Sequence, residues 1–210
     1  MLMDLVLVRH ARSVRAKTGI WGRLFDAPLD EGFEHQLSEA RSALASLSEA
    51  AVFSSPLLRC RETADFVCPL AEIEVVDEFR AYHSGVFEDK PESFVHEHSP
   101  GYMELSYRER FLRPKFGEES VASQASRVRG GIRKVLQKGA PVSVIVAHYS
   151  TINIIAHVGS LNWDEDTYAD GVYDLAEGAF IRMAIDPAAV AIGLQSKPGR
   201  GTPDYFSGQT

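Results

Sequence analysis

Apolar residues fill positions 3–8 (MDLVLV) almost without a break, the pattern of a strand buried on both faces, and the run stops at Arg9-His10. From 37 to 50, Leu37, Ala40, Leu44 and Leu47 recur at three- and four-residue spacing, which predicts an amphipathic helix. AVF at 51–53 predicts a second strand. Ser54 and Ser55 before Pro56 carry the cap-then-proline signature of a helix start, so a helix is expected through about residue 67. Residues 73–76 predict a third strand. The polar stretch 83–115, broken by Pro91, Pro100 and Pro114, reads as an insertion with short helices. Val121, Ala125, Val128, Ile132 and Val135 place a helix within 117–137, weakened by Gly130 and Gly131. PVSVIVA (141–147) predicts a strand and 151–160 a helix. Residues 179–185 and 189–195, flanking Asp186-Pro187, suggest a closing hairpin. From Lys197 onward, Pro198, Gly199, Gly201 and Pro203 suggest a loose tail.

Strands alternating with helices imply α/β architecture with a mainly parallel sheet covered on both faces. The expectation is one domain over 1–196, with the insertion at 83–115 and the tail at 197–210. In such sheets ligands gather at the carboxyl ends of the strands. Arg9-His10, Ser54-Ser55 and His148 each follow a predicted strand, so three segments should meet on one rim.

The longest uncharged stretch runs from Gly139 to Trp163, but His148, Tyr149, Ser150, Thr151, Asn153, His157 and Ser160 make it too polar for a lipid-facing span. The apolar N-terminal run is too short for a secretory signal, and a cytoplasmic protein is expected. With 22 Lys plus Arg against 29 Asp plus Glu, the net charge of −7 argues against a generally basic nucleic-acid binder. Hydrophobic residues at 45% suffice for a sizeable core. Cys60 and Cys68 would lie about 12 Å apart on an unbroken helix, so they neither bridge nor build a zinc site.

The rim is the chemically informative part. Arg9, His10, His148 and Arg59, one turn into the helix after strand two, form a cluster that a packed core does not need. Buried guanidinium groups require an anion, and a phosphoryl group suits them. Each residue also has a structural reading: Arg9 paired with a distant carboxylate, the histidines satisfied in the core, and Arg59 on a helix surface.

LVRHARS (7–13) resembles the first signature of the histidine phosphatase, or phosphoglycerate mutase-like, superfamily. WGRLFDAPLDEGFEHQ (21–36), FSSPLLRCRETA (53–64), GEES (117–120) and VIVAHYSTINIIA (144–156) resemble later blocks of that family in its order. The resemblance implies a three-layer α/β/α sandwich and a phosphatase that acts through a phosphohistidine. His10 would be the nucleophile, with Arg9, Arg59 and His148 holding the phosphoryl oxygens and Ser13 adding a donor. It implies no metal and no cofactor.

Three positions depart from the family's pattern. Ala11 and Tyr149 stand where it usually has glycines, and aligning on Gly85 puts Ala81 where it has its general-acid glutamate. His83 and Glu88 are the nearest candidate proton donors, with Asp89 beside them, whereas an acyl phosphate or phosphoramidate would need none. His96, His98, Tyr102 and Tyr107 could line a lid. The expected function is hydrolysis of a small metabolite's phosphomonoester. Alternatives are a catalytically impaired phospho-ligand binding protein and a protein phosphohistidine phosphatase; a mutase is disfavoured because 90–114 lacks paired arginines. The expected partner is a small phosphorylated substrate, with no nucleic acid and no membrane, and an edge strand leaves a homodimer open.

Overall fold

The alternation of the first apolar run explains the architecture. In a computed structural model that describes residues 2–47, 49–106, 109–110, 112, 114–159 and 173–194, strand β1 (Met3–Arg9) lies inside a five-stranded sheet. Leu5 and Leu7 face one side, where they pack with Phe53, Ile145 and the helices to either side of residue 145. Val6 and Val8 face the other, against Leu37, Ala40, Leu44, Cys60 and Ala64. Both faces are therefore core, as the uninterrupted run of Val and Leu requires.

The elements follow as α1 (Phe33–Leu44), β2 (Ala51–Ser54), α2 (Leu58–Val67), β3 (Ile73–Val75), α3 (Glu92–His98), α4 (Val121–Lys138), β4 (Val142–Ala147), α5 (Tyr149–Gly159), β5 (Phe180–Ile185) and α6 (Pro187–Gly193). The sheet order is β3-β2-β4-β1-β5, parallel except for β5, which runs antiparallel on the edge beside β1. Helices α1 and α2 cover one face and α4, α5 and α6 the other, so the fold is the expected three-layer α/β/α sandwich. None of the helices among the described residues is long and apolar enough to cross a membrane.

The register fixes the rim. Arg9 pairs with Ala147 and Ser54 with Val146, so the carboxyl ends of β1, β2 and β4 finish side by side. The insertion folds on a small core of its own, Phe87, Val95 and Tyr102 packed with Trp21, Phe94 and Phe116. Buried Glu118 ties it together: one carboxylate oxygen accepts from the Tyr102 hydroxyl at 2.6 Å and the other from the Phe116 amide at 2.6 Å.

Four expectations need correction. Helix α1 spans 33–44 rather than 37–50, because after Leu44 two successive turns carry the chain to Ala50 and still deliver Leu47 to the same core. Ser54 and Ser55 do not cap α2: Ser54 completes β2, and the Leu58 amide at the helix start donates instead to Asp26 at 2.5 Å. The expected hairpin is a strand followed by a helix. Asp186 accepts from the Ala188 amide at 3.0 Å and Pro187 opens α6, a capping arrangement that overrides a short apolar run compatible with either structure. Gly130 and Gly131 do not break α4. At Gly131 a Cβ would stand 2.5 Å from the Phe79 ring, so the missing side chain lets the segment 77–79 pack on the helix. The expected tail, 197–210, and Tyr107 lie outside the described residues.

Candidate active site

Each catalytic candidate is placed by a strand end. His10 follows β1 and His148 follows β4, and their rings meet edge to face with centroids 5.1 Å apart. Arg59 is the second residue of α2, directed back into the rim by the short turn after β2. These three side chains are almost entirely buried, with residue exposures of 8% for His10, 2% for Arg59 and 5% for His148.

The hydrogen bonds fix the state of each ring. His10 Nδ1 lies 2.7 Å from the Ala11 carbonyl, which can only accept, so Nδ1 carries the proton. Its Nε2 lone pair therefore faces Arg59, whose Nε donates to it at 3.3 Å. Arg59 also approaches His148 Nδ1 at 3.3 Å, and since a guanidinium only donates, that nitrogen holds a lone pair and Nε2–H donates to Ser55 Oγ at 2.8 Å. Arg59 is itself anchored by donation to the carbonyls of Phe25 at 3.0 Å and Arg23 at 2.8 Å. Ser55 thus holds His148, with only a longer contact, 3.4 Å, from the Leu57 amide at the entrance to α2.

Burial pushes both histidines well below the ordinary imidazole range, and the Arg59 charge pushes them further. The unfolded chain then binds protons below about pH 6.5 that the folded chain refuses, so stability is full above that value and falls as pH drops. The expected loss is up to about 1.4 kcal/mol per pH unit for each histidine. Urea denaturation at pH 7.5 and 5.5 checks this: the wild type should lose stability, and His148→Gln should lose less. Equal stability of the wild type at both pH values would contradict it.

Arg9 completes the cluster. Its Nη1 donates to the Leu175 carbonyl at 2.5 Å, its Nη2 lies 3.6 Å from Glu177 and its guanidinium sits 5.2 Å above the Tyr149 ring. Its buried Nε has no hydrogen-bond partner among the described residues. Tyr149, in place of the family's glycine, therefore braces Arg9. Glu177 is delivered by Gly178, which has φ +82° and approaches Gln36 so closely that a Cβ would stand 2.7 Å from the Gln36 carbonyl oxygen.

Together these groups line a cavity of about 380 Å³, shared with Arg15, Arg23, Ala81, Tyr82, Arg110 and Ser150. The expected four, Arg9, His10, Arg59 and His148, are brought together. Ser13 is not: it is buried at a bridge to Leu29, away from the lining. His83 is exposed, with Nδ1 accepting from the Gly85 amide at 2.9 Å. Glu88 accepts from the amides of Leu24 at 2.8 Å and Ser84 at 2.7 Å, fastening two loops together. Neither of these candidate donors lines the cavity, and neither do Asp89, His96, His98 and Tyr102, whereas Ala81 does. Cys60 lies 3.5 Å from His148 Nε2, but burial pushes its thiol up to about 12, which leaves it unreactive.

Arg15, Arg23, Arg110, Tyr82 and Glu177 were not singled out from sequence. A signal for two of them exists: between 9 and 25 the chain carries Arg9, Arg12, Arg15, Lys17 and Arg23 and no acidic residue, in a protein of net charge −7. Arg12 and Lys17 pair with Asp30 outside the cavity, while Arg15 and Arg23 turn in.

Comparison with known proteins gives concordant results. The chain matches the family model of the histidine phosphatase superfamily (branch 1) over residues 5–176. It is 28% identical over 160 residues to phosphoserine phosphatase 1 of Hydrogenobacter thermophilus, covering 71% of this chain and 72% of that protein. Among solved structures, the mycobacterial glucosyl-3-phosphoglycerate phosphatase superposes with a TM-score of 0.73 at 20% identity, covering 88% of this chain and 91% of that one. A putative alpha-ribazole-5'-P phosphatase from Escherichia coli gives 0.71 at 18% identity, over 88% and 91% of the two chains. At such identities these likenesses establish the fold, which is phosphoglycerate mutase-like. The matched span takes in the ends of β1, β2 and β4 that build the cavity, and the chain belongs to the histidine phosphatase superfamily, branch 1.

Proposed function

We propose that the protein hydrolyses a phosphomonoester of a small metabolite through a covalent phosphohistidine on His10. The observation that carries this reading is the tautomer: with Nδ1 fixed on the Ala11 carbonyl, His10 presents an Nε2 lone pair to the space bounded by Arg59 and His148. Nε2 attacks phosphorus as the bond to the leaving oxygen breaks, and that oxygen departs with the electron pair. Water then attacks phosphorus, the P–N bond breaks, the pair returns to Nε2 and inorganic phosphate leaves. Arg59 and Arg9 supply donors already aimed at the developing charge, in a pocket where little solvent must be reorganised. His148, neutral in the free protein, gains a proton at Nδ1 once Arg59 transfers its hydrogen bond from that nitrogen to the entering dianion, and becomes a further donor.

The relatives' activities support a small-molecule substrate: one acts on phosphoserine and another on glucosyl-3-phosphoglycerate. The lining favours a reaction without metal, because five arginines, two histidines and one carboxylate match an oxyanion and not a hard cation. Ala81 offers the leaving group only a methyl group, so substrates whose leaving oxygen is weakly basic should turn over fastest.

The test is hydrolysis of p-nitrophenyl phosphate and an alkyl phosphate in the presence of a chelator. Turnover should persist with the chelator, and the aryl ester should be favoured by about 10²–10⁴, the factor that general-acid assistance typically supplies. Absence of turnover on either ester would contradict the reading. The same cavity would serve a phospho-ligand binding protein, a reading that Ala81 favours. In that case phosphate binds and neither ester is cleaved.

A further inference from the structure

The charge in the cavity exceeds what one phosphoryl group needs. In the proposed reaction Arg9, Arg59 and His148 serve its three non-bridging oxygens and His10 attacks phosphorus. Arg15 and Arg23 face the same space, and their hydrogen bonds go to uncharged oxygens: Arg15 to the Gly22 carbonyl at 3.3 Å, Arg23 to the Tyr82 hydroxyl at 3.2 Å. Arg23 and Arg110 both lie against the Trp21 ring, with guanidinium carbons 5.7 and 5.8 Å from its centroid. The one carboxylate among the described lining residues, Glu177, is paired with Arg9.

The hydrogen bonds and ion pairs of the acidic residues nearby go to other partners, so that Glu88 and Glu177 act on Arg23 only through space. Asp30 takes Arg12 and Lys17, Asp26 accepts from the Leu58 amide and Glu88 from two backbone amides. Arg15 is crowded by its own kind: burial, then the charges of Arg23 and Arg59, bring its guanidinium down to about 10. At Arg15 folding has thus set like charges in a partly desolvated space, an arrangement that a bound anion relieves, whereas Arg23 is held charged by Tyr82 first and then by Glu88 and Glu177.

We propose that Arg15 and Arg23 form a second anion site beside the phosphoryl site, so that the substrate carries a carboxylate or a second phosphate in addition to the phosphoryl group that is cleaved. The inference rests on the phosphatase reading and adds the substrate's class to it. About 380 Å³ is at the small end of ligand pockets, which fits a compact doubly acidic metabolite. Arginine is suited to this role because its planar fork takes a carboxylate or phosphate with two parallel hydrogen bonds.

The test is competition against p-nitrophenyl phosphate by three compounds built on the same three-carbon chain: glycerol 3-phosphate, 3-phosphoglycerate and glycerol 1,3-bisphosphate. The first lacks a second anion, the second adds a carboxylate and the third a phosphate. At least one of the two acidic compounds should inhibit with a Ki about tenfold or more below that of glycerol 3-phosphate, and which one does so identifies the second group. Arg15→Gln and Arg23→Gln should bring that ratio towards one, while Arg61→Gln, on the exposed side of α2, should leave it in place. Equal Ki values for all three in a wild type that cleaves the aryl ester would overturn the second site and leave the phosphatase reading standing. So would a ratio that Arg61→Gln lowers as much as the cavity variants do. The wild-type ratio needs no variant to fold. A wild type that does not cleave p-nitrophenyl phosphate would overturn the phosphatase reading, and this inference with it.

Discussion

His10→Ala is expected to lower turnover of p-nitrophenyl phosphate by at least about 10⁴, the scale on which enzymes lose activity when a covalent nucleophile is removed. The loss should fall on kcat. The imidazole is not a structural keystone: its ring contacts are the Ala11 carbonyl, Arg59 Nε and the edge of His148, and the strand before it is held by the ladders to β4 and β5. The variant should therefore fold and still bind inorganic phosphate, because Arg9, Arg59 and His148 remain. Steady-state kinetics together with calorimetric titration of phosphate would show this. Residual turnover within tenfold of the wild type would mean that another group attacks phosphorus.

Arg59 should show the second largest effect, with a different signature. Arg59→Lys keeps the charge and discards the fork. One ammonium cannot serve His10, His148 and the carbonyls of Phe25 and Arg23 at once, so kcat/KM should fall by about 10²–10³, on the scale of losing one preorganised donor to a developing charge. Arg59→Ala should add a stability loss. It removes the donor from the part-buried carbonyls of Phe25 and Arg23, at about 1 kcal/mol each, and opens space under His148. Activity and urea denaturation measured on both variants separate the two roles. If Arg59→Lys were as active as the wild type, bidentate grip by this side chain would not be part of catalysis.

The sequence made the core of the site legible because two simple periodicities place it. Continuous apolar runs at 3–8 and 141–147 mark fully buried parallel strands, and ligands collect where such strands end; that alone selects Arg9, His10 and His148. Arg59 followed from its offset within the next helix. The missed groups come from loops, whose paths depend on the finished fold. Arg15 and Arg23 reach the cavity because the segment after β1 is closed over the rim, with Glu88 accepting from Leu24, and Glu177 arrives from far along the chain through the left-handed turn at Gly178. His83 and Glu88 lie outside the cavity lining for the same reason: on irregular chain, nearness in sequence to position 81 says nothing about direction. The run at 189–195 is ambiguous because a short, mostly apolar segment fits strand and helix equally, and Asp186-Pro187 is compatible with a turn as well as with the helix start that its backbone geometry adopts.

Central to this account is a covalent bond between phosphorus and one ring nitrogen. The direct measurement is a single-turnover reaction of the wild-type protein with p-nitrophenyl phosphate labelled at phosphorus, quenched in alkali within the first turnover. The labelled protein is then digested and sequenced by mass spectrometry. The expected result is transient label on the peptide containing His10, stable to alkali and lost in acid, absent from His10→Ala. Label that passes to free phosphate with none on the protein, or that resides on Ser13, Cys60 or His148, would contradict it.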